Sequence, residues 1–224
     1  FNINLGDTIY SDSEVGGAKV ARTRREKWAK YRQNLSLAPL RTLRGSAATY
    51  SHWDDHEFIN DFSRAEHGDG IYDAGSKAFF DYNPIRTPFE GIYRKFRWGR
   101  HLELFFLDER SFRSARASAG GTCNVAGGPD LAPTAPPAVR QAFTLLVPSL
   151  SQPVPQACLD RIADPSRTML GARQLARFLR DVRRSTVRMP ASARSTSFAN
   201  GSGRPRKSSL KSSVGCASSS AYSG

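Results

Sequence analysis

Asp54, Asp55 and His56 stand side by side in the stretch YSHWDDHEF, residues 50–58, directly behind an apolar-aromatic run. Adjacent like charges repel, and near a buried surface they are costly unless something compensates them. A divalent or trivalent cation would do so, since carboxylate and imidazole are common metal ligands; a solvated acidic turn is the other use of the same residues. A second set lies at residues 5–12, LGDTIYSD. Asp7 offers a hard anionic oxygen, and Tyr10, three residues on, can bring a phenol to the same point across a tight turn. A phenolate suits a ferric ion, a hard and highly charged acid; an ordinary Gly-Asp turn with Tyr10 used for packing is the alternative. The third set is FFLDERSFR, residues 105–113, in which Asp108, Glu109, Arg110 and Arg113 follow an apolar run. Arginine presents a planar donor fork that matches phosphate oxygens; a local salt-bridge set is the plainer reading.

Each set needs an element to deliver it. FNINL alternates Phe1, Ile3 and Leu5 and breaks at Gly6, which reads as a strand ending in a loop. ATYSHW, residues 48–53, is β-prone and leads into the acidic cluster. In α/β architectures the crevice beyond strand ends is where ligands bind, so two clusters that both follow strands are better placed than either alone. Residues 91–99 and 101–108, GIYRKFRWG and HLELFFLD, alternate and meet at Gly99–Arg100 as a hairpin with the second strand more buried. Helices are expected over residues 20–35, with Trp28 and Tyr31 on one face, and over 38–45, stopped by glycine. A basic amphipathic helix is expected over 171–185, with Leu175, Phe178, Leu179 and Val182 on its apolar face. Residues 115–157, rich in Ala, Gly and Pro, read as loop.

The chain has 224 residues, 39% of them hydrophobic, enough for one domain with a modest core. Its longest apolar runs, such as FTLLV at 143–147, are far too short to span a bilayer. The net charge is +13; five basic residues (Arg194, Arg204, Arg206, Lys207 and Lys211) lie beyond Met189 without an acidic one, which leaves +8 on the rest. Such a body favours anionic partners without choosing among phosphate esters, polyanions and nucleic acid. The segment 186–224 is Ser/Gly-rich and basic, and is expected to be a disordered tail behind a domain spanning 1–185. Three cysteines, Cys123, Cys158 and Cys216, show no zinc-finger spacing. A Cys123–Cys158 disulfide would suit an exported protein; two unpaired thiols suit the sequence as well.

The blocks GDTIYSD, WDDHEF-IND, YRKFRWGRHLELFFLDERSFRS and DPSRTMLGARQLARF, in this order, resemble the signature blocks of alkaline phosphatase D, the PhoD-like metallophosphatases, over residues 1 to 185. The resemblance implies an α/β fold, a calcineurin-like metallophosphatase sandwich of two β-sheets flanked by helices, here incomplete at both ends. It implies that Asp7 bridges two metals, Tyr10 binds iron, Asp55 is a ligand to the second metal and His56 faces the phosphate. Asp54 and Asn60 are further candidate ligands in the same loop, and Arg110 a candidate to orient substrate phosphate. The cofactors implied are two or more metal ions, iron(III) and calcium, and many family members are exported.

The function expected on this basis is metal-dependent hydrolysis of phosphoric esters, mono- or diesters, by a hydroxide activated between two cations. Family members carry a strand and a further domain ahead of the GD block, and histidine-bearing blocks after the last helix; the chain opens at FNINLGD without a basic-then-apolar leader, and no histidine follows His101. It therefore reads as part of something longer, and an inactive fragment of such an enzyme is one alternative. A basic polyanion-binding protein is the other, although the basic residues form no known nucleic-acid motif and the acidic clusters would repel phosphate unless metals cover them.

Overall fold

The structure, a computed structural model, describes residues 1–87 and 90–187, and the backbone of 191–193. Strand β1 (Asn2–Asn4) pairs parallel with β2 (Thr49–Ser51), Ile3 opposite Tyr50. A parallel pair requires a crossover, and helices α1 (Arg24–Leu35) and α2 (Ala38–Ser46) supply it. α1 starts on a capping box: the Thr23 side chain accepts from the Glu26 amide at 3.3 Å, and the Glu26 carboxylate accepts from the Thr23 amide at 2.8 Å. Its buried face is Lys27 and Tyr31, with Trp28 half-covered beside them.

Helix α3 (Arg64–Tyr82), which the sequence did not announce, closes the core from the other side. It bends at Gly68 (φ 80°, ψ 172°). Tyr82 stacks on Tyr31 with ring centroids 4.9 Å apart, and Asp81 accepts from both the Trp28 indole (2.6 Å) and the Arg24 guanidinium. Trp53, Phe58, Phe62, Tyr72 and Phe79 form the aromatic heart between α3 and β2. A Cβ on Gly75 would stand 2.3 Å from the Phe58 ring, so the bare glycine is what lets α3 settle onto it.

Strands β3 (Arg94–Trp98) and β4 (Leu102–Phe106) form the expected hairpin, turning at Gly99 (φ 63°). Tyr50 of β2 lies 4.7 Å from Phe96 and 5.8 Å from Phe106, so an aromatic layer joins the β1–β2 pair to this hairpin. The buried His52 accepts from the Trp53 amide at Nδ1 and meets the Leu107 carbonyl at Nε2 (2.8 Å), and Arg94 donates to the Ser51 carbonyl.

The segment expected as loop is irregular for most of its length. It carries a two-residue ladder of β5 (Asn124–Val125) with β6 (Gly128–Pro129), helix α4 (Pro137–Ala142) and the start of helix α5 (Gln156–Ala163). Cys123 and Cys158 are bonded to each other, which resolves the choice the sequence left open. Helix α6 (Gly171–Arg184) forms as expected, and its apolar face is met in part: Phe178 packs on Phe105 with ring centroids 5.6 Å apart and Val182 is half-buried. Gln174 and Asp181 point inward, while Leu175 and Leu179 are each 43% exposed. Hydrogen bonding decides this: Gln174 Oε1 accepts from the Asp108 amide (2.9 Å), its Nε2 donates to the Asp108 carbonyl (2.7 Å), and Asp181 accepts from the Tyr93 hydroxyl (2.8 Å). Within the segment expected to be disordered, Ala191–Ala193 forms β7, parallel to β4; residues 188–190 and those from 194 on, to which the same expectation applied, lie outside the described residues. No helix among the described residues is long and apolar enough to cross a membrane.

Candidate metal centre

β1 and β2 end side by side, and the loops that leave them are stitched together. The His52 amide donates to the Asn4 carbonyl (2.8 Å) and the Ser11 amide to the His56 carbonyl (3.0 Å). Between these two bonds sits Glu57, fully buried, whose Oε1 accepts from the Thr8 amide at 2.6 Å and whose Oε2 accepts from the Asp54 amide at 2.8 Å. One carboxylate thus holds one backbone N–H from each loop. Burial pushes its pKa up to about 7, and the Asp7 charge works in the same direction. Lys27, also fully buried, donates from Nζ to the Ser11 hydroxyl (2.9 Å) and to the Phe58 carbonyl (2.7 Å), a second clamp across the same two loops; burial draws its pKa down to about 8.

The approach is closest at Gly6, whose φ of +121° suits glycine. A Cβ there would lie 2.4 Å from the Asp54 amide nitrogen and 2.8 Å from the Trp53 carbonyl carbon. Asp7 follows in the left-handed region (φ 53°), a conformation that Asp tolerates better than most residues.

This packing gathers Asp7, Asp55 and His56, each offering one ligand atom within 4.8 Å of the others. Asp7 Oδ1 is buried without a hydrogen-bond partner among the described residues. Burial holds the Asp7 pKa above 3.8, and the nearby Asp54 and Asp55 raise it further. Asp55 is oriented by the Asp61 amide, which donates to its Oδ2 at 2.5 Å. His56 is oriented by Asp12, whose Oδ1 lies 2.7 Å from Nδ1 while its Oδ2 accepts from the Asn60 amide (3.1 Å). A proton on Nδ1 shared with Asp12 leaves Nε2 with the lone pair, the arrangement that fixes a ligand histidine. An orphaned carboxylate oxygen, a second carboxylate and an oriented imidazole within 5 Å form a donor set suited to a hard cation.

The other candidates from the sequence lie at the edge of this group or outside it. Tyr10 packs at a tilt on His56, ring centroids 4.3 Å apart and planes 38° from parallel, and remains 47% exposed; the Asp7 charge, then burial, holds its phenol above 10.0. Asp54 turns to Arg110, with Nε to Oδ1 at 2.6 Å. Asn60 is exposed, and its side chain donates to Asp61. Arg110, only 1% exposed, is held by Asp54 and, at 3.4 Å, by Asp55, so carboxylates occupy the fork expected to meet phosphate. Asp108 is structural: Oδ1 accepts from the Trp53 indole and the Arg110 and Ser111 amides, Oδ2 from the Ile92 amide and the Ser111 hydroxyl. Asp12, Glu57 and Lys27 were given no role from the sequence. Asp12 and Glu57 lie within the two quoted acidic blocks, but nothing in a linear string marks a carboxylate whose partners are backbone amides or a ring nitrogen 44 residues away.

Protons compete with a cation for this group. Burial works to lower the His56 pKa, but the Asp12 hydrogen bond and the charges of Asp55, Asp12 and Asp7 outweigh it and hold it above 6.5. The stabilising Asp12–His56 ion pair is therefore complete below pH 6.5 and fades as pH rises through the raised value. Over that same rise His56 becomes able to ligate. Affinity for Mn²⁺ is expected to increase across this range, with proton release that calorimetry in two buffers of different ionisation enthalpy would measure. Affinity that is flat from pH 6 to 8 would remove His56 from the ligand set.

The PhoD-like phosphatase family model matches residues 1–218. A solved structure described as the structure of PhoD superposes with a TM-score of 0.61 at 21% identity, covering 86% of this chain and 35% of its own. The chain thus spans about a third of the length of that protein. No curated protein matches. With the family model running over residues 1–218, which include the Asp7–Asp55–His56 group, the chain belongs to the PhoD-like phosphatase family.

Proposed function

We propose that the chain carries part of the active centre of a metal-dependent phosphoric ester hydrolase acting on mono- or diesters at alkaline pH. The observation that carries this reading is the buried, partnerless oxygen of Asp7 facing a second carboxylate and an imidazole. Two carboxylates at one point repel each other, and once His56 has lost its proton a cation between them relieves that cost.

In this reading Asp7 and Asp55 supply oxygen donors and His56 its Nε2. Tyr10, beside His56, is placed to offer a phenol, and iron(III) is the cation that would draw its proton away despite the raised pKa. Calcium suits the carboxylate oxygens. When bound, such cations supply charge neutralisation at the phosphoryl group and an activated water. Arg110 keeps Asp54 and Asp55 in place, and Asp12 keeps His56 in the ligating tautomer. The aromatic layer of Tyr50, Phe96 and Phe106 between two small sheets supports the two-sheet metallophosphatase core for the family domain. The Cys123–Cys158 bond supports an exported protein, because such bonds persist in oxidising compartments.

The test is release of p-nitrophenolate from p-nitrophenyl phosphate at alkaline pH by the chain incubated with iron(III) and calcium. Activity should vanish in chelator and in Asp55→Ala. Hydrolysis that persists in chelator would overturn the reading. So would failure of the chain to bind any of iron, calcium or manganese.

A further inference from the structure

Three arginines leave one loop at intervals of three residues, Arg110, Arg113 and Arg116. The outer two are committed to carboxylates of the 54–66 segment. Arg110 meets Asp54 (2.6 Å) and Asp55 (3.4 Å); Arg116 meets Asp61 (3.0 Å) and Glu66 (2.7 Å). The middle one has no hydrogen bond or ion pair among the described residues, although it is half-buried.

The backbone around Arg113 is fixed. Phe112 packs so closely on Gly91 and Gly171 that a Cβ on either would stand 2.9 Å from it. On the other side, the Ser114 amide donates to the Thr168 carbonyl (2.8 Å), and the Thr168 amide donates back to the Ser114 hydroxyl (3.0 Å). The position of Arg113 is thus set by its neighbours, not by any bond of its own. The charges that act on it are those of Arg110, Asp61, Asp55 and Arg116. Both carboxylates are already engaged: Asp61 by Arg116, and Asp55 by Arg110 and the Asp61 amide. Five N–H donors, partly withdrawn from water beside another guanidinium, form a site for an anion that arrives from outside. Burial, then the Arg110 charge, lowers the Arg113 pKa, against the pull of Asp61 and Asp55.

We propose that Arg113 is a substrate-binding residue whose guanidinium fork receives the non-reacting oxygens of a phosphate ester held at the Asp7–Asp55–His56 group. The proposal rests on the functional reading above, which gives that group its cation. Phosphate is the fitting anion because two of its oxygens match the fork, which a carboxylate from the chain itself would otherwise have filled. The loop arginines then divide their work: two hold the acidic segment together, and the third stays open for the ligand.

The test uses the full chain and its Arg113→Gln and Arg113→Lys variants. Mn²⁺ binding is measured first by calorimetry, then binding of inorganic phosphate to the Mn²⁺-loaded forms through ³¹P line broadening. Expected are equal Mn²⁺ affinities in all three and phosphate affinity roughly 10–100-fold weaker in Arg113→Gln, the range for loss of a charge-assisted bond. Arg113→Lys should recover part of the loss, since the charge returns without the fork. Unchanged phosphate affinity in Arg113→Gln, with Mn²⁺ binding intact, would overturn the proposal. Loss of Mn²⁺ binding in that variant alone would also overturn it, because Arg113 would then act on the loops. Absence of Mn²⁺ binding in all three would sink the functional reading itself, and this proposal with it.

Discussion

Replacing Arg110 with alanine is expected to destabilise the chain by about 3–5 kcal/mol, the range for removing one member of a buried ion pair. The guanidinium is 1% exposed, and the Asp54 and Asp55 side chains it engages are 9% and 7% exposed. The attraction it contributes is not the main loss. Without it, two adjacent carboxylates remain in a nearly dry environment with Asp7 beside them and lose the cation that contacts both. The loss should appear as a lower urea midpoint with little change in slope, since the core that unfolds is the same. Arg110→Lys should fall between, keeping the charge but not the fork that spans both carboxylates. An Arg110→Ala variant within 1 kcal/mol of the parent would mean that water or rearrangement screens these acids, and the account of the loop as electrostatically clamped would fail.

Asp7→Asn is expected to change two measurements in opposite directions. Asn fits the left-handed backbone at this position and removes a charge repelled by Asp54 and Asp55, so the metal-free chain should melt at a higher temperature. At the same time its affinity for Mn²⁺ should fall by at least about 100-fold, since loss of groups that merely orient a ligand already costs 10–100-fold. Saturating cation should then add little to the variant's stability, whereas a concentration 100 times Kd adds about 2.7 kcal/mol to a protein that binds it. A residue that weakens the empty fold and serves the bound one is held for its ligand. Equal melting shifts with cation in the two proteins would show that Asp7 has no such part.

Much of this arrangement was legible where local pattern and tertiary structure agree. The strand ending at Gly6, the helix carrying Lys27 and Tyr31, and the hairpin turning at Gly99 all follow from period and punctuation. Asp7, Asp55 and His56 could be picked out because they are charged residues just past apolar strand residues. α3 was illegible for the opposite reason. Gly68, Gly70 and Gly75 interrupt its helical pattern, and the helix forms because its aromatic residues pack onto Trp53 and Phe58, with Gly75 bare where Phe58 needs room. The face of α6 was legible only in part: Phe178 packs on Phe105, but Gln174 and Asp181 turn inward to partners at Asp108 and Tyr93, and a long-range hydrogen bond leaves no trace in hydrophobic spacing. Asp54, Asn60 and Arg110 share the loops of the metal group yet turn to other partners, a matter of side-chain direction that adjacency in sequence does not convey.

At Gly6 the two strand-end loops touch, backbone on backbone. The clearance across which Asp7 faces Asp55 is therefore gauged by a hydrogen atom, at a residue with no chemistry of its own. A methyl group there would act as a wedge, widening the jaw and separating the two acids while the aromatic heart behind them stayed packed. The acids that the proposed cation needs together would then stand apart.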